Sequence, residues 1–166
     1  ITDWKNEITG DELYSAMGTT SRKAKSTTIQ HKVDVTYQYE FAKSASENGV
    51  KNYFLVSSSG ANARSKFFYM RIKGELEEKI KLLPFNKIRI FGPSLLLGER
   101  DEKRFGEKAA ERILKIVVPV FPFLKNQKPI EGEKVAKAMI VSANDFGKEK
   151  IKIFELSEIF QLSEKV

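Results

Sequence analysis

The 166-residue chain contains no cysteine. Disulfides, thiolate metal centres and cysteine nucleophiles are thereby excluded. Histidine is almost missing as well. His31 is the only one, set in a polar stretch, so a His-based triad or a multi-His metal site has little material and His31 reads as a surface residue. Long hydrophobic runs are also absent. The most apolar run, residues 116–124, is broken by Pro119 and Pro122 and falls far short of the ~20 residues a bilayer span needs. It reads as the cap of a core or the lining of an apolar pocket, and no membrane association is expected. Glycines are few and scattered: Gly10 and Gly18 stand alone, and no Gly-rich strand-to-helix turn of the phosphate-cradling kind occurs. The first residues show no basic-then-apolar signal pattern. A cysteine-free chain suits a reducing, cytoplasmic setting, which is the location expected here.

What the chain does have is a soluble globular composition, 41% hydrophobic and 31% charged, enough for one domain over residues 1–166 with a sizeable core. The net charge is +7. Lys and Arg are spread along the chain and interleaved with Glu, and Arg22, Lys23 and Lys25 make the best local basic patch. No arginine-rich arm and no aromatic-basic repeat accompany it, so the charge reads as a solvated surface rather than a nucleic-acid footprint. The sequence leaves open a homo-oligomer or a protein partner.

Short apolar runs alternate with longer amphipathic stretches, the βα pattern of a parallel sheet. Residues 13–17 read as a first strand ending at Gly18-Thr19-Thr20, and the polar residues 21–28 as a loop. Val33, Tyr37, Phe41 and Ala45 recur every four residues, one face of a helix, which Asn48-Gly49 ends. Residues 53–56 are continuously apolar, like a strand covered on both faces, and run into Ser57-Ser58-Ser59-Gly60. A long helix is expected over 65–83 and a strand over 87–91, stopped by Gly92-Pro93. Helices over 106–118 and 133–141, a strand over 150–154 and a closing helix over 156–162 complete the reading. The class is α/β: part of a Rossmann-type, doubly wound parallel sheet with helices on both faces. Gly18-Thr19-Thr20, the serines and Gly92-Pro93-Ser94 all fall at strand carboxyl ends, where such sheets bind ligands.

Two Tyr-x-x-x-Lys pairs occur, and context separates them. Tyr39 and Lys43 precede the apolar strand and read as structural. Tyr69 and Lys73 follow the strand-end serines, and residues four apart share a helical face. A phenol is a poor acid-base group at neutral pH, and a neighbouring ammonium lowers its pKa. Lys73 would acidify Tyr69 and reach a ribose hydroxyl. A serine would hold the substrate oxygen, and Tyr69 would exchange the proton as hydride moves.

Leu55-Val56-Ser57-Ser58-x-Gly60-Ala61 followed by Phe68-Tyr69-x-x-x-Lys73-Gly74-Glu75-x-Glu77 resembles the atypical short-chain dehydrogenase/reductases. More narrowly, it is similar to the NAD(P)-binding oxidoreductases related to the Tat-interactive protein and NmrA-like proteins. Gly18-Thr19-Thr20 resembles that group's strand end along the cofactor, and Val33-Asp34 the start of the adjacent helix. Pro93-x-Leu95-Leu96-Leu97-Gly98-Glu99-Arg100 resembles the segment near the nicotinamide, with Gly92 and Ser94 where the group has Arg and Gly. The resemblance implies a Rossmann fold, NAD or NADP as cofactor and a small-molecule substrate. It implies a catalytic set of Ser58 (Ser59 being the second choice), Tyr69 and Lys73. Cofactor contacts are implied for Gly18, Thr19, Thr20, Ser57, Ser59, Tyr69, Lys73, Pro93 and Ser94. It further implies a preceding glycine-rich βαβ portion of about 60 residues, beside which residues 13–17 would otherwise form a bare sheet edge. A non-catalytic NAD(P)-sensing module of the NmrA-like kind is the alternative.

Overall fold

The computed structural model describes residues 4–97, 128–145 and 147–165. The expected helix over 106–118, the apolar run 116–124 and the Gly98-Glu99-Arg100 motif lie outside them. The chain divides into two compact units, Ile1–Gly92 with Phe146–Phe154, and Pro93–Asp145 with Glu155–Val166.

The first unit is built on a four-stranded sheet of order β1-β2-β3-β6, with β1 Glu12–Ser15, β2 Asn52–Val56, β3 Lys87–Gly92 and β6 Ile151–Glu155. β1, β2 and β3 run parallel, Ser15 opposite Leu55 and Val56 opposite Phe91. β1 lies at one edge, with β2 as its neighbour in the sheet. Successive side chains of β2 and β3 alternate between faces. Tyr53, Leu55, Ile88 and Ile90 point into one core, where Ala42, Ala45, Leu76, Ile80, Leu83 and Phe85 meet them. On the other face Phe54 stacks on Tyr14, and Phe91 on Phe154.

The helical side differs from expectation in two places. Residues 21–28 are not a loop. They form α1 Ser21–Ala24 and the start of α2 Thr27–His31. Thr20 caps the first by accepting the Lys23 N–H at 3.3 Å, and Ser26 caps the second by accepting the Ile29 N–H at 3.1 Å. Side-chain caps satisfy amide groups that a helix start leaves open, so two short polar helices form without an apolar stripe. The helix then widens into a π segment, Lys32–Tyr37, before α3 Gln38–Glu47. Within this stretch Tyr37 and Phe41 are exposed, while Gln30, Asp34 and Gln38 are buried. Of the row Val33, Tyr37, Phe41 and Ala45 that the spacing picks out, Tyr37 and Phe41 therefore face outward while Ala45 lies in the core, and the polar row Gln30, Asp34 and Gln38 faces inward. Gly49, at φ +88°, ends the stretch as expected.

α4, Phe68–Lys81, starts three residues later than the expected helix. The residues before it make a turn in which Ser65 Oγ accepts the Phe67 N–H at 3.1 Å. Gly74 sits where this turn crosses α4. A Cβ there would lie 2.2 Å from Ala63 N and 2.3 Å from Asn62 C, so only glycine lets the backbones approach so closely.

In the second unit β4 Leu96–Leu97 pairs in parallel with β5 Ile130–Glu131. α5 Gly132–Ala143 packs against α6 Leu156–Ser163, which opens on a capping box between Glu155 and Glu158.

Candidate active site

The carboxyl ends of the parallel strands β1, β2 and β3 lie side by side, so their following residues emerge at one sheet edge. Gly18-Thr19-Thr20 follows β1, Ser57-Ser58-Ser59 follows β2, and Gly92 ends β3. Gly92 packs against the β2 tip. A Cβ on it would lie 3.5 Å from Ser58 O.

The three serines have different surroundings. Ser57 is buried, and its Oγ donates to Glu77 Oε1 of α4 at 2.5 Å. Ser59 is buried as well. Ser58 is half-buried, and its Oγ donates to Ser59 O at 3.4 Å, a weak contact that leaves the hydroxyl adaptable. The helix α4 carries both other members of the expected set. Tyr69 is half-buried on the first turn of α4, and the Lys73 ammonium lies 5.8 Å from its ring centre, close enough for a cation–π attraction.

Asp34 completes this arrangement and was not read as a site residue from the sequence. Its Oδ1 lies 3.2 Å from Lys73 Nζ, the side chains being 1% and 4% exposed. Its Oδ2 accepts the Thr19 N–H at 3.0 Å. Gly18 closes the third side, since a Cβ on it would stand 3.1 Å from Asp34 Oδ1 and 3.7 Å from Lys73 Nζ. Asp34 belongs to the row Gln30, Asp34, Gln38, spaced by four, which clamps the end of β1. Gln30 Nε2 donates to Thr19 O at 3.5 Å, Ser15 Oγ donates to Gln38 Oε1 at 2.8 Å, and Gln38 Nε2 donates to Asp34 O at 2.8 Å. Four residues overshoot one turn of an α-helix, and the wider π turn compensates, so the row stays on one side. The available signal was that spacing of polar residues beside an apolar row of the same period.

His31 is a surface residue, its side chain 38% exposed, and it has a partner. Its Nε2 lies 3.0 Å from Glu75 Oε2, and Lys79 Nζ lies 3.4 Å from Glu75 Oε1. Partial burial works to raise the Glu75 carboxyl, but His31 and Lys79 outweigh it and hold it below the usual carboxylate range. Tyr39 and Lys43 are structural, as read. Lys43 is half-exposed and reaches Glu47 at 3.8 Å, while Tyr39 packs on the core with Lys79 above its ring. Pro93 and Ser94 open the second unit, where Ser94 Oγ donates to Lys128 O at 2.5 Å. Among the described residues, no helix is long and apolar enough to cross a membrane.

Solved structures share this fold. The UDP-N-acetylglucosamine 4-epimerase of Methanobrevibacter ruminantium matches with a TM-score of 0.64 at 12% identity, covering 93% of this chain and 57% of that one. The enzyme WbmG of Bordetella bronchiseptica, solved in complex with NAD, matches with 0.57 at 12%, covering 93% and 55%. The fold is therefore Rossmann-like. No protein-family model matches the chain. Curated relatives narrow the class. The chain is 40% identical over 128 residues to protein fmp52, mitochondrial, of Emericella nidulans, covering 77% of this chain and 55% of the relative. It is 38% identical over 161 residues to protein FMP52-1, mitochondrial, of Scheffersomyces stipitis, covering 93% and 70%. The chain belongs to the FMP52 family, and it spans 55% to 70% of the length of these two relatives. Their names overturn the cytoplasmic expectation. Lack of cysteine excludes disulfides in any compartment, so it does not discriminate between compartments.

Proposed function

We propose that the protein is an NAD(P)-dependent oxidoreductase of the atypical short-chain dehydrogenase/reductase type, acting in mitochondria on an unidentified carbonyl or alcohol. The observation that carries this reading is the Lys73 ammonium, buried against Asp34, 5.8 Å from the Tyr69 ring centre and beside Gly18 past the end of β1. WbmG, with the same fold, was solved with NAD, and the donors here suit the nicotinamide-ribose half of such a nucleotide. Lys73 would reach a ribose hydroxyl, with Gly18, Thr19 and Thr20 along one side and Ser57 and Ser59 shaping the other. Pro93 and Ser94 are assigned to the nicotinamide end on sequence resemblance.

A bound nicotinamide supplies the hydride acceptor or donor. Ser58, the serine left half-buried and weakly bonded, holds the substrate oxygen by hydrogen bonding. Tyr69 takes the hydroxyl proton when the alcohol carbon gives up its hydride, and returns it in the reverse direction. Lys73 stabilises the phenolate form of Tyr69.

NADH and NADPH titrated against the intact protein should show saturable binding of at least one. Tyr69→Phe should retain that binding while losing about 10²–10⁴-fold in turnover over a panel of carbonyls and alcohols. Absence of nucleotide binding, or full turnover in Tyr69→Phe, would reject the reading. A second reading, an NAD(P)-sensing module without chemistry, draws support from Asp34, which already partners Lys73. Its signature is redox-selective binding without turnover.

A further inference from the structure

We propose that the outer face of the helical stretch from Thr27 to Glu47 is a contact through which two copies of this chain pair, antiparallel about a two-fold axis. The inference is independent of the proposed oxidoreductase activity. α2, the π segment and α3 form one continuous helix, because His31 and Tyr37, at the two junctions, keep helical backbone angles. Ile29, Val33, Tyr37 and Phe41 follow one another along its outer side, spaced by four and kept in line by the wider π turn. Ile29 is 51%, Tyr37 42% and Phe41 41% exposed. Trp4, exposed as well, extends the row by stacking on Phe41 with ring centres 4.6 Å apart. Contiguous exposed apolar surface of this kind marks a place of contact.

Charge decides the occupant. Lys32 and Glu40 border the row, four residues before and four after the exposed Thr36. The Lys32 ammonium lies 5.5 Å from the Tyr37 ring centre, and Glu40 meets the exposed Lys5 at 3.6 Å. An isologous contact sets residue i against j and j against i. With the two-fold axis passing beside Thr36 and Tyr37, each Lys32 faces the partner's Glu40, Tyr37 meets its own counterpart, and Val33 lies against the partner's Phe41. A parallel pairing would set Lys32 on Lys32 and Glu40 on Glu40. An anionic lipid surface or a nucleic acid would meet the carboxylates of Glu40 and Glu47. From Ile29 to Phe41 the row is about 18 Å long at ~1.5 Å per residue, which is short for the ~800 Å² per partner of a standard interface. The dimer is therefore a reversible one, with a Kd in the micromolar range.

The test is sedimentation velocity of the intact protein from about 1 to about 100 μM. Wild type should pass from monomer toward dimer over that range. Tyr37→Glu sets two carboxylates together at the axis and should stay monomeric. Lys32→Glu and Glu40→Lys should each weaken association about tenfold or more, since like charges then face each other twice. An equimolar mixture of those two variants should associate about as tightly as wild type, because opposite charges again meet at both contacts. All three side chains lie at the surface, and circular dichroism checks that the variants stay folded. If Tyr37→Glu fails to fold, the charge exchange decides alone. A wild type that stays monomeric, a dimer that persists in Tyr37→Glu, or a mixture no better than its components would overturn the proposal. So would a monomer that floats with vesicles of phosphatidylcholine and phosphatidylserine, which would give the row to lipid.

Discussion

Two tyrosine–lysine pairs of identical spacing lie on neighbouring helices of this protein, and they differ in whether the lysine is buried in an ion pair. Lys43 projects from α3 with its side chain 47% exposed and meets Glu47 on its own helix. Lys73 projects from α4 with its side chain 4% exposed and meets Asp34 from a different element. The helical geometry is the same in both. What differs is what the neighbouring elements bring. At Lys43 the surroundings are solvent and a flexible glutamate. At Lys73 they are a carboxylate locked by the β1 tip and a glycine that leaves the space. Spacing places two groups on one face, but burial and partners decide whether that face carries chemistry.

The sharpest way to break this comparison is to remove each lysine charge in turn. Lys73→Met leaves a buried carboxylate without its counter-ion and should destabilise the protein by about 3–5 kcal/mol. Lys43→Met removes an exposed pair and should change stability by about 0.5 kcal/mol or less. Urea denaturation of both variants measures the contrast, and equal effects would erase the distinction between the two pairs.

The contrast sharpens further at Gly74, one residue beyond Lys73. A methyl there collides with the backbone of Asn62 and Ala63. Gly74→Ala should lose about 1–3 kcal/mol and increase amide exchange over residues 61–65. Unchanged exchange there would mean that the turn before α4 is held by something else.

The smallest effect belongs to Glu75, outside the buried cluster. Its carboxyl is held below the usual range in the folded state. The stability it contributes is therefore present above the unfolded carboxylate value and lost as pH falls through the lower folded value. Wild type should exceed Glu75→Gln in Tm at neutral pH by an amount worth less than about 1 kcal/mol, and the gap should close in acid. A gap that widened in acid would contradict the assignment.

Much of this was legible in the sequence. β2 announces itself as a continuous apolar run ended by serines, β3 as a short strand stopped by Gly92-Pro93, and the Tyr69–Lys73 helix by spacing and context. The layered α/β class follows from that alternation. Two things were illegible for physical reasons. The helices from Ser21 to His31 are stabilised by the Thr20 and Ser26 caps rather than by an apolar stripe, so hydrophobic periodicity misses them. Asp34 looks like any helical aspartate until the π segment and the fold of β1 bring Thr19, Gly18 and Lys73 around it. Tyr37 and Phe41 show the converse. They make a regular row, yet they are exposed, because the row four residues apart that faces inward is the polar one.

The most direct test of the central claim, that Lys73 serves a nicotinamide nucleotide, is a titration of NADH and NADPH against the intact Asp34→Asn, Lys73→Met double variant. Deleting both buried charges together avoids stranding either one, so this variant should remain folded. The account expects at least tenfold weaker binding than wild type. Binding undiminished in the folded double variant would contradict it.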